Sequence, residues 1–353
     1  MKELFLKEKE RFLKDGYIII NDFFNEKEFE PIKREIENET NSLIKRLYSN
    51  GLIKTDYSLN DKLSVDMKLI EAEKEYLGTS ILLHTEFASR LKRSFGEQLF
   101  QNCKLLDLVE VLLDSEEISG HPEWNLRSKT PNNKYFNVPW HQDSAYLEVG
   151  AENYKQITVW IPLVDINENN GPLQILPFSN QQNNDTKNNN NNNIIQEPLL
   201  NHKLQKILDP NFKDSWYLEI EEKELENYFK DYKSIIKTCS PLSIGSMVLF
   251  TNKTIHCSLP NLSNSVRWTI DIRFLNSNDP TGFNPIDQKD IENKMKLRSK
   301  NKNKIPIDYS IWSPQSTPIL MSNNNNDNIL EQKNNDDNLK NYSIEGPWFS
   351  RWQ

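Results

Sequence analysis

The chain has 353 residues, of which 27% are charged and 36% hydrophobic, with 8 Trp, 16 Phe and 12 Tyr, enough apolar and aromatic material for a substantial globular core. Its net charge of −8 argues against a general nucleic-acid binder, which needs a clustered excess of Lys and Arg to neutralise phosphates. A small molecule is the expected partner, and no nucleic acid.

Residues 3 to 14 read as a short charged helix ending near Asp15-Gly16, followed by the β-branched run Tyr17-Ile18-Ile19-Ile20 of strand character. Asn25 offers a helix cap, with Glu28 in the capping-box position. Beyond it Phe29, Ile32, Ile36, Leu43, Ile44 and Leu47 recur at helical spacing. A second helical region is expected over roughly 85 to 114, where Phe87, Leu91, Phe95, Leu99 and Phe100 form a stripe for the core.

From about residue 121 the texture changes to short apolar runs punctuated by Pro, Asn and Gly, as in an antiparallel β architecture. In Val138-Pro139-Trp140-His141-Gln142-Asp143-Ser144-Ala145-Tyr146, an extended 140–144 would project His141 and Asp143 to the same face, so that an imidazole and a carboxylate reach one ion. The strand Ile157–Leu163 puts Ile157, Val159, Ile161 and Leu163 on one face and Thr158 and Trp160 on the other. Two polar tracts, about 181–195 and 322–340, are rich in Asn and read as disordered insertions.

A second imidazole is best placed at His256, after the strand Met247-Val248-Leu249-Phe250. Two neutral imidazoles and one carboxylate suit non-haem Fe(II) and leave coordination positions open. The next strand, 267–274, alternates apolar Trp268, Ile270, Ile272 and Phe274 with polar Arg267, Thr269, Asp271 and Arg273; the polar face lines a cavity or meets solvent. Arg267 follows His256 by eleven residues. It would serve the far carboxylate of a dicarboxylate co-substrate, with Arg273 on the same face as its rival.

The ordered set Phe12-Leu-Lys-Asp-Gly-Tyr-Ile-Ile-Ile, Trp140-His-Gln-Asp-Ser-Ala-Tyr, Thr158-Val-Trp-Ile-Pro-Leu, Asn170-Gly-Pro-Leu-Gln-Ile-Leu-Pro, Gly245-Ser-Met-Val-Leu-Phe, His256-Cys-Ser and Arg267 resembles the phytanoyl-CoA dioxygenase family over roughly residues 12 to 275. The resemblance implies a mostly β fold with flanking α-helices, a double-stranded β-helix (jelly roll, cupin-like). It implies one oxygenase domain over 1–353, with a helical part to about 115, a jelly-roll core at about 116–280 and a C-terminal extension. The implied activity is Fe(II)- and 2-oxoglutarate-dependent dioxygenation with O2, hydroxylating a small organic substrate with release of succinate and CO2.

By the same resemblance His141, Asp143 and His256 are metal ligands, Arg267 binds the C5 carboxylate of 2-oxoglutarate, and Ser258 and Trp160 add co-substrate contacts. Asn125, Arg127 and Tyr146 are candidate substrate or co-substrate contacts, and Leu147 and the loop 181–198 candidate walls. Where the family usually reads Pro-Gly-Ser-His, this chain has Pro177-Phe178-Ser179-Asn180, an altered turn. An acyl-CoA would need cations for its phosphates, for which Arg90, Lys92 and Arg93, or Arg298, Lys300, Lys302 and Lys304, are the candidates.

Two readings compete: a catalytically silent jelly roll that binds a partner or ligand, and a metal-dependent hydrolase or isomerase on a cupin-like barrel. Retention of both His, the Asp and the Arg disfavours the first, and the lack of an obvious separate general base beside the HxD disfavours the second. Cys103, Cys239 and Cys257 have neither CxxC spacing nor an even count, so a reducing, cytoplasmic location is expected. The N-terminus lacks a signal peptide's apolar run, no stretch of ~18 apolar residues could cross a bilayer, and Arg351-Trp352-Gln353 is no peroxisomal address.

Overall fold

The computed structural model describes residues 2–88, 91–180, 199–206, 217–283, 294–300, 305–307, 309 and 351–352. Both Asn-rich tracts, the loop 181–198, Arg90, Lys302 and Lys304 lie outside them. Helix α1 (Lys2–Asp15) stops at Gly16, whose φ of +83° suits glycine. A Cβ there would also meet the Asn180 Oδ1 at 2.7 Å and the Thr254 Oγ1 at 2.9 Å. Strand β1 (Tyr17–Ile20) follows at once.

Asn25 caps as the sequence predicts: its Oδ1 accepts the Lys27 N–H at 3.0 Å, and Glu28 accepts the Asn25 N–H at 2.7 Å. The capped turn Glu26–Phe29 is 3-10, and α2 (Glu30–Ser49) then buries Ile32, Ile36, Leu43, Ile44 and Leu47. Helices α3 (Val65–Glu75) and α4 (Thr79–Ala88) follow. The helical region expected over 85–114 is not continuous. It resumes as α5 (Arg93–Phe95), runs into a π-helical turn Gly96–Phe100, and restarts as α6 (Cys103–Leu113). The restart is capped by Asn102, whose Oδ1 accepts the Leu105 N–H at 3.1 Å.

The strands then come in series: β2 (Ile118–Gly120), β3 (Asn125–Lys129), β4 (Gln156–Pro162), β5 (Leu173–Ile175), the short pair β6 (Lys203–Leu204) and β7 (Leu218–Glu219), β8 (Lys237–Thr238), β9 (Met247–Thr251), β10 (His256–Ser258), β11 (Arg267–Asn276) and β12 (Met295–Arg298). Helices α7 (Glu222–Tyr228) and α8 (Tyr232–Ile235) sit between β7 and β8.

The larger sheet runs β1-β9-β4-β11-β2-β12, and β3 pairs with the first half of β11 beside β2. The smaller runs β10-β5-β8. All named pairings are antiparallel. This is the jelly roll with flanking helices that the resemblance implies.

The strand faces divide as the alternation requires. Ile157, Val159, Ile161, Trp268, Ile270, Ile272 and Phe274 are buried in the main core with α2, α4 and α6. There Phe95 lies 5.1 Å from Trp124 and Phe100 5.6 Å from Phe274, centroid to centroid. Each such side chain contributes about 1.5–3 kcal/mol by burial, which fixes the register of β4 and β11. Their other face, Thr158, Trp160, Arg267, Asp271 and Arg273, turns into a cavity between the two sheets and not to solvent.

Candidate metal centre

His141 and His256 face each other in an isolated antiparallel bridge, each donating its backbone N–H to the other's carbonyl at 3.0 Å. Directly opposed residues carry their side chains on one face, and the two rings lie 4.2 Å apart between centroids. The segment 140–144 is extended only as far as Gln142 (φ −114°, ψ 135°), and a 3-10 turn begins at Asp143. The turn is imposed by Ala145 N–H donating to the Gln142 carbonyl at 3.0 Å and by Ser144, whose N–H and Oγ both donate to the Asn252 carbonyl. Even so, ligand atoms of His141, Asp143 and His256 all lie within 4.8 Å of one another, in a group that could hold a metal ion.

Each ring is oriented by its own chain. The Nδ1 of His141 is 2.8 Å from the Pro139 carbonyl, and that of His256 is 2.9 Å from the Thr254 carbonyl. A carbonyl only accepts, so both Nδ1 atoms carry the proton and both Nε2 lone pairs are left for an ion. Burial, reinforced by His141, pushes His256 down to about 3, so it is neutral near pH 7.

The carboxylate of Asp143 divides its labour. Oδ2 accepts from Thr158 Oγ1 at 2.6 Å and from Arg273 Nε at 3.2 Å. Oδ1 faces the two imidazoles, 3.5 Å from His141 Nε2 and 3.8 Å from His256 Nε2. Burial alone would raise the Asp143 pKa, but the Arg273 charge beside it outweighs burial and holds the carboxyl well below its usual range.

The two arginines that the sequence leaves as rivals part here. Arg273 spans Asp143 and Glu123, at 3.2 and 3.3 Å. Arg267, 1% exposed, donates to Thr269 Oγ1 at 2.6 Å, while its Nε is buried without a partner and its guanidinium carbon lies 5.7 Å from the Trp160 ring centroid. It makes no ion pair among the described residues. Burial pushes it down to about 10.

Ser258 Oγ accepts from Lys129 Nζ at 2.9 Å and from the Val138 N–H at 3.3 Å, which commits its lone pairs and leaves its proton to donate. Lys129 is missed by the sequence reading, although Asn125-Leu-Arg-Ser-Lys alternates and so aligns residue 129 with Arg127. It is 1% exposed and pairs across the sheet with Arg267. Its Nζ reaches Ser258 Oγ, the Leu259 carbonyl at 2.6 Å and Asn137 Oδ1 at 3.3 Å. Three acceptors match the three protons of an ammonium, against burial and then the Arg267 charge, which push the amine well below its ordinary pKa.

His141, Asp143, His256, Thr158, Trp160, Ser258, Arg267, Arg273 and Arg127 converge on one cleft of about 390 Å³ of empty space, its open mouth included. Arg127 is held by Asp271 at 2.5 Å and donates to the Tyr217 hydroxyl at 3.3 Å. Asn125, opposite Asp271 on β3, does not line the cleft. Nor does Tyr146, which packs edge-on against His141 and accepts the Leu218 N–H at 2.8 Å, nor Leu147, buried with Ala151 and Phe283.

The sequence profile of the family described as Phytanoyl-CoA dioxygenase (PhyH) matches residues 12–269. The chain belongs to this family. It is an oxygenase of the iron- and 2-oxoglutarate-dependent non-haem type. Similar solved structures include ThoJ, a non-heme monooxygenase in its apo form, at 15% identity over 84% of this chain and 86% of that one (TM-score 0.46). EvdO2 from Micromonospora carbonacea var. aurantiaca complexed with 2-oxoglutarate is similar at 17% identity over 76% and 90% (TM-score 0.45). Apo EctD from S. alaskensis is similar at 16% over 78% of each chain (TM-score 0.45). No protein of curated function matches the chain in sequence.

Proposed function

We propose that His141 Nε2, His256 Nε2 and Asp143 Oδ1 hold Fe(II), that Arg267 and Ser258 bind the C5 carboxylate of 2-oxoglutarate, and that the site hydroxylates a small organic substrate. The observation that carries this is the buried Arg267 guanidinium with an orphaned Nε. A desolvated cation without an acidic partner calls for an anionic ligand. The donor set fits the metal, with two imidazoles and one carboxylate converging. Iron bound there supplies the oxidative chemistry that couples decarboxylation of 2-oxoglutarate to succinate with oxidation of the substrate.

The chain's own groups do the positioning. Thr158 and Arg273 pin Oδ2 of Asp143, so that the carboxylate presents Oδ1. Lys129 turns the Ser258 proton outward for donation to the carboxylate, and Trp160 walls the channel beside Arg267. Arg127, braced by Asp271 and Tyr217, lines the same cleft as a contact for co-substrate or substrate.

Two of the candidate phosphate cations among the described residues are committed to carboxylates, which favours a compact substrate over an acyl-CoA. Lys92 is paired with Glu39, and Arg298 with Asp107 and Glu110 at 2.7 and 3.0 Å. Three unpaired cysteines support a reducing compartment such as the cytoplasm. No helix among the described residues is long and apolar enough to cross a membrane.

The test is anaerobic addition of Fe(II) and 2-oxoglutarate, followed by the visible spectrum of wild type and His256→Ala. A weak metal-to-ligand charge-transfer band in wild type, lost in the variant, is the expected result. A folded, iron-loaded wild type without the band would overturn the assignment in favour of a jelly roll that binds without chemistry.

A further inference from the structure

The turn that carries Asp143 leaves the β-ladder; its Ser144 and Glu148 carbonyls accept the Leu147 and Ala151 N–H groups at 3.3 and 3.1 Å, but those of Ala145 and Leu147 need partners from elsewhere. They find them some two hundred residues further along the chain. Arg351 Nη1 donates to the carbonyls of Leu147 at 2.8 Å and of Ser144 and Glu148 at 3.3 Å, and Trp352 Nε1 donates to the Ala145 carbonyl at 2.9 Å. Arg351 Nη2 is held by Glu152 at 3.2 Å. Ala145 and Leu147 are buried.

The same pair reaches the other side of the motif. The Trp352 ring lies 5.0 Å from that of His202, whose Nε2 accepts the backbone N–H of Gln142 at 3.1 Å. Gln142 is the residue between His141 and Asp143. Arg351 and Trp352 therefore brace the turn after the carboxylate and, through His202, the peptide before it.

We propose that Arg351 and Trp352 are positioning residues for the metal site. They hold the 143–148 turn so that Asp143 Oδ1 stays aimed at the imidazole pair. Neither touches the metal ligands' side chains, and their effect is on metal affinity. The inference rests on the ligand assignment above. Groups that orient metal ligands from outside the coordination shell typically change affinity by about 10–100-fold.

The test is anaerobic titration of the full-length, metal-free protein with Co(II), read by its visible ligand-field absorption and checked by Fe(II) competition. Arg351→Met keeps the aliphatic stem but removes the donors, and Trp352→Phe keeps a ring but removes Nε1–H. Each is expected to weaken metal binding about tenfold, with Arg351→Lys recovering part of it. Arg298→Met, which breaks the pairs with Asp107 and Glu110, controls for general destabilisation and should leave metal affinity unchanged. Should Arg351→Met fail to fold, Trp352→Phe decides. Wild-type affinity within twofold in folded Trp352→Phe would overturn the proposal, as would an equal loss in Arg298→Met. A wild type that binds no metal would instead overturn the ligand assignment on which it stands.

Discussion

Lys129 and Arg267 stand directly opposite each other on β3 and β11, both buried, and neither makes an ion pair with a carboxylate among the described residues. Two desolvated like charges repel, and an anion bound between them and Ser258 would relieve both. Lys129→Met should therefore weaken 2-oxoglutarate binding by about tenfold, in line with ~1.5–3 kcal/mol for hydrogen bonds to charged groups. Binding of 2-oxopentanoate, which lacks the second carboxylate, should hardly change. Competition against the iron charge-transfer band measures both affinities. An equal loss for the two acids would mean that Lys129 serves only the fold. His141 and Asp143 are legible in the sequence only in combination with His256 and Arg267, because a lone His-x-Asp pair can sit on any exposed strand. The choice between Arg267 and Arg273 is not legible. The two are alike on one face, and what separates them, Asp143 and Glu123 around one of them, arrives from other segments. Lys129 escapes because lysine on a strand ordinarily faces water.

At the scale of elements, periodicity finds α2, β4 and β11, where one face is apolar and the other is not, while composition finds α1 and β1. It misreads places where local hydrogen bonds win. The 85–114 region is helical in composition throughout, yet the Asn102 cap starts a new helix, and the 140–144 segment bends because Ser144 bonds to Asn252. The altered turn at 177–180 is a further case. Phe178 sits at φ +66°, where the family usually has glycine, and its side chain is 44% exposed. The turn is held by the Phe178 N–H donating to the Asp15 carbonyl at 2.9 Å, and by Ser179 Oγ, which donates to the Leu176 carbonyl and accepts the Ile255 N–H. Left-handed backbone costs a side chain about 1–2 kcal/mol, and an exposed ring returns little of it. Phe178→Gly is expected to raise stability by about 1 kcal/mol, read as a higher urea midpoint. A lower midpoint would show that the ring packs against something that matters.

Across the whole molecule, buried histidines couple stability to pH. His202 Nδ1 donates to the Leu200 carbonyl at 2.7 Å while Nε2 accepts from Gln142, so a second ring proton would set two donors face to face. Burial pushes its pKa down to about 3. Because the folded value lies below that of the unfolded chain, the unfolded chain takes the proton first. The contribution is complete above about pH 6.5 and is lost as pH falls toward 3, at up to about 1.4 kcal/mol per unit. His202→Gln keeps an acceptor but cannot titrate. Between pH 6.5 and 5 the metal-free variant should lose about 2 kcal/mol less stability than wild type. Asp66 and Glu73, which burial shifts upward, act oppositely but equally in both proteins and drop out of the comparison. Denaturation curves that shift alike with pH in the two proteins would contradict this.

The placement of β11 also sets an order of events during synthesis. This strand is bonded to β4 along one edge and to β3 and β2 along the other, and it brings both Arg267 and Arg273. A nascent chain that has emerged through β9 holds His141 and Asp143 without a second imidazole. One that has emerged through β10 still lacks the guanidinium that fixes the carboxylate. The centre is completed only when a late strand slots between partners already made, so until β11 has emerged a ribosome-bound chain has no finished site to offer an iron ion.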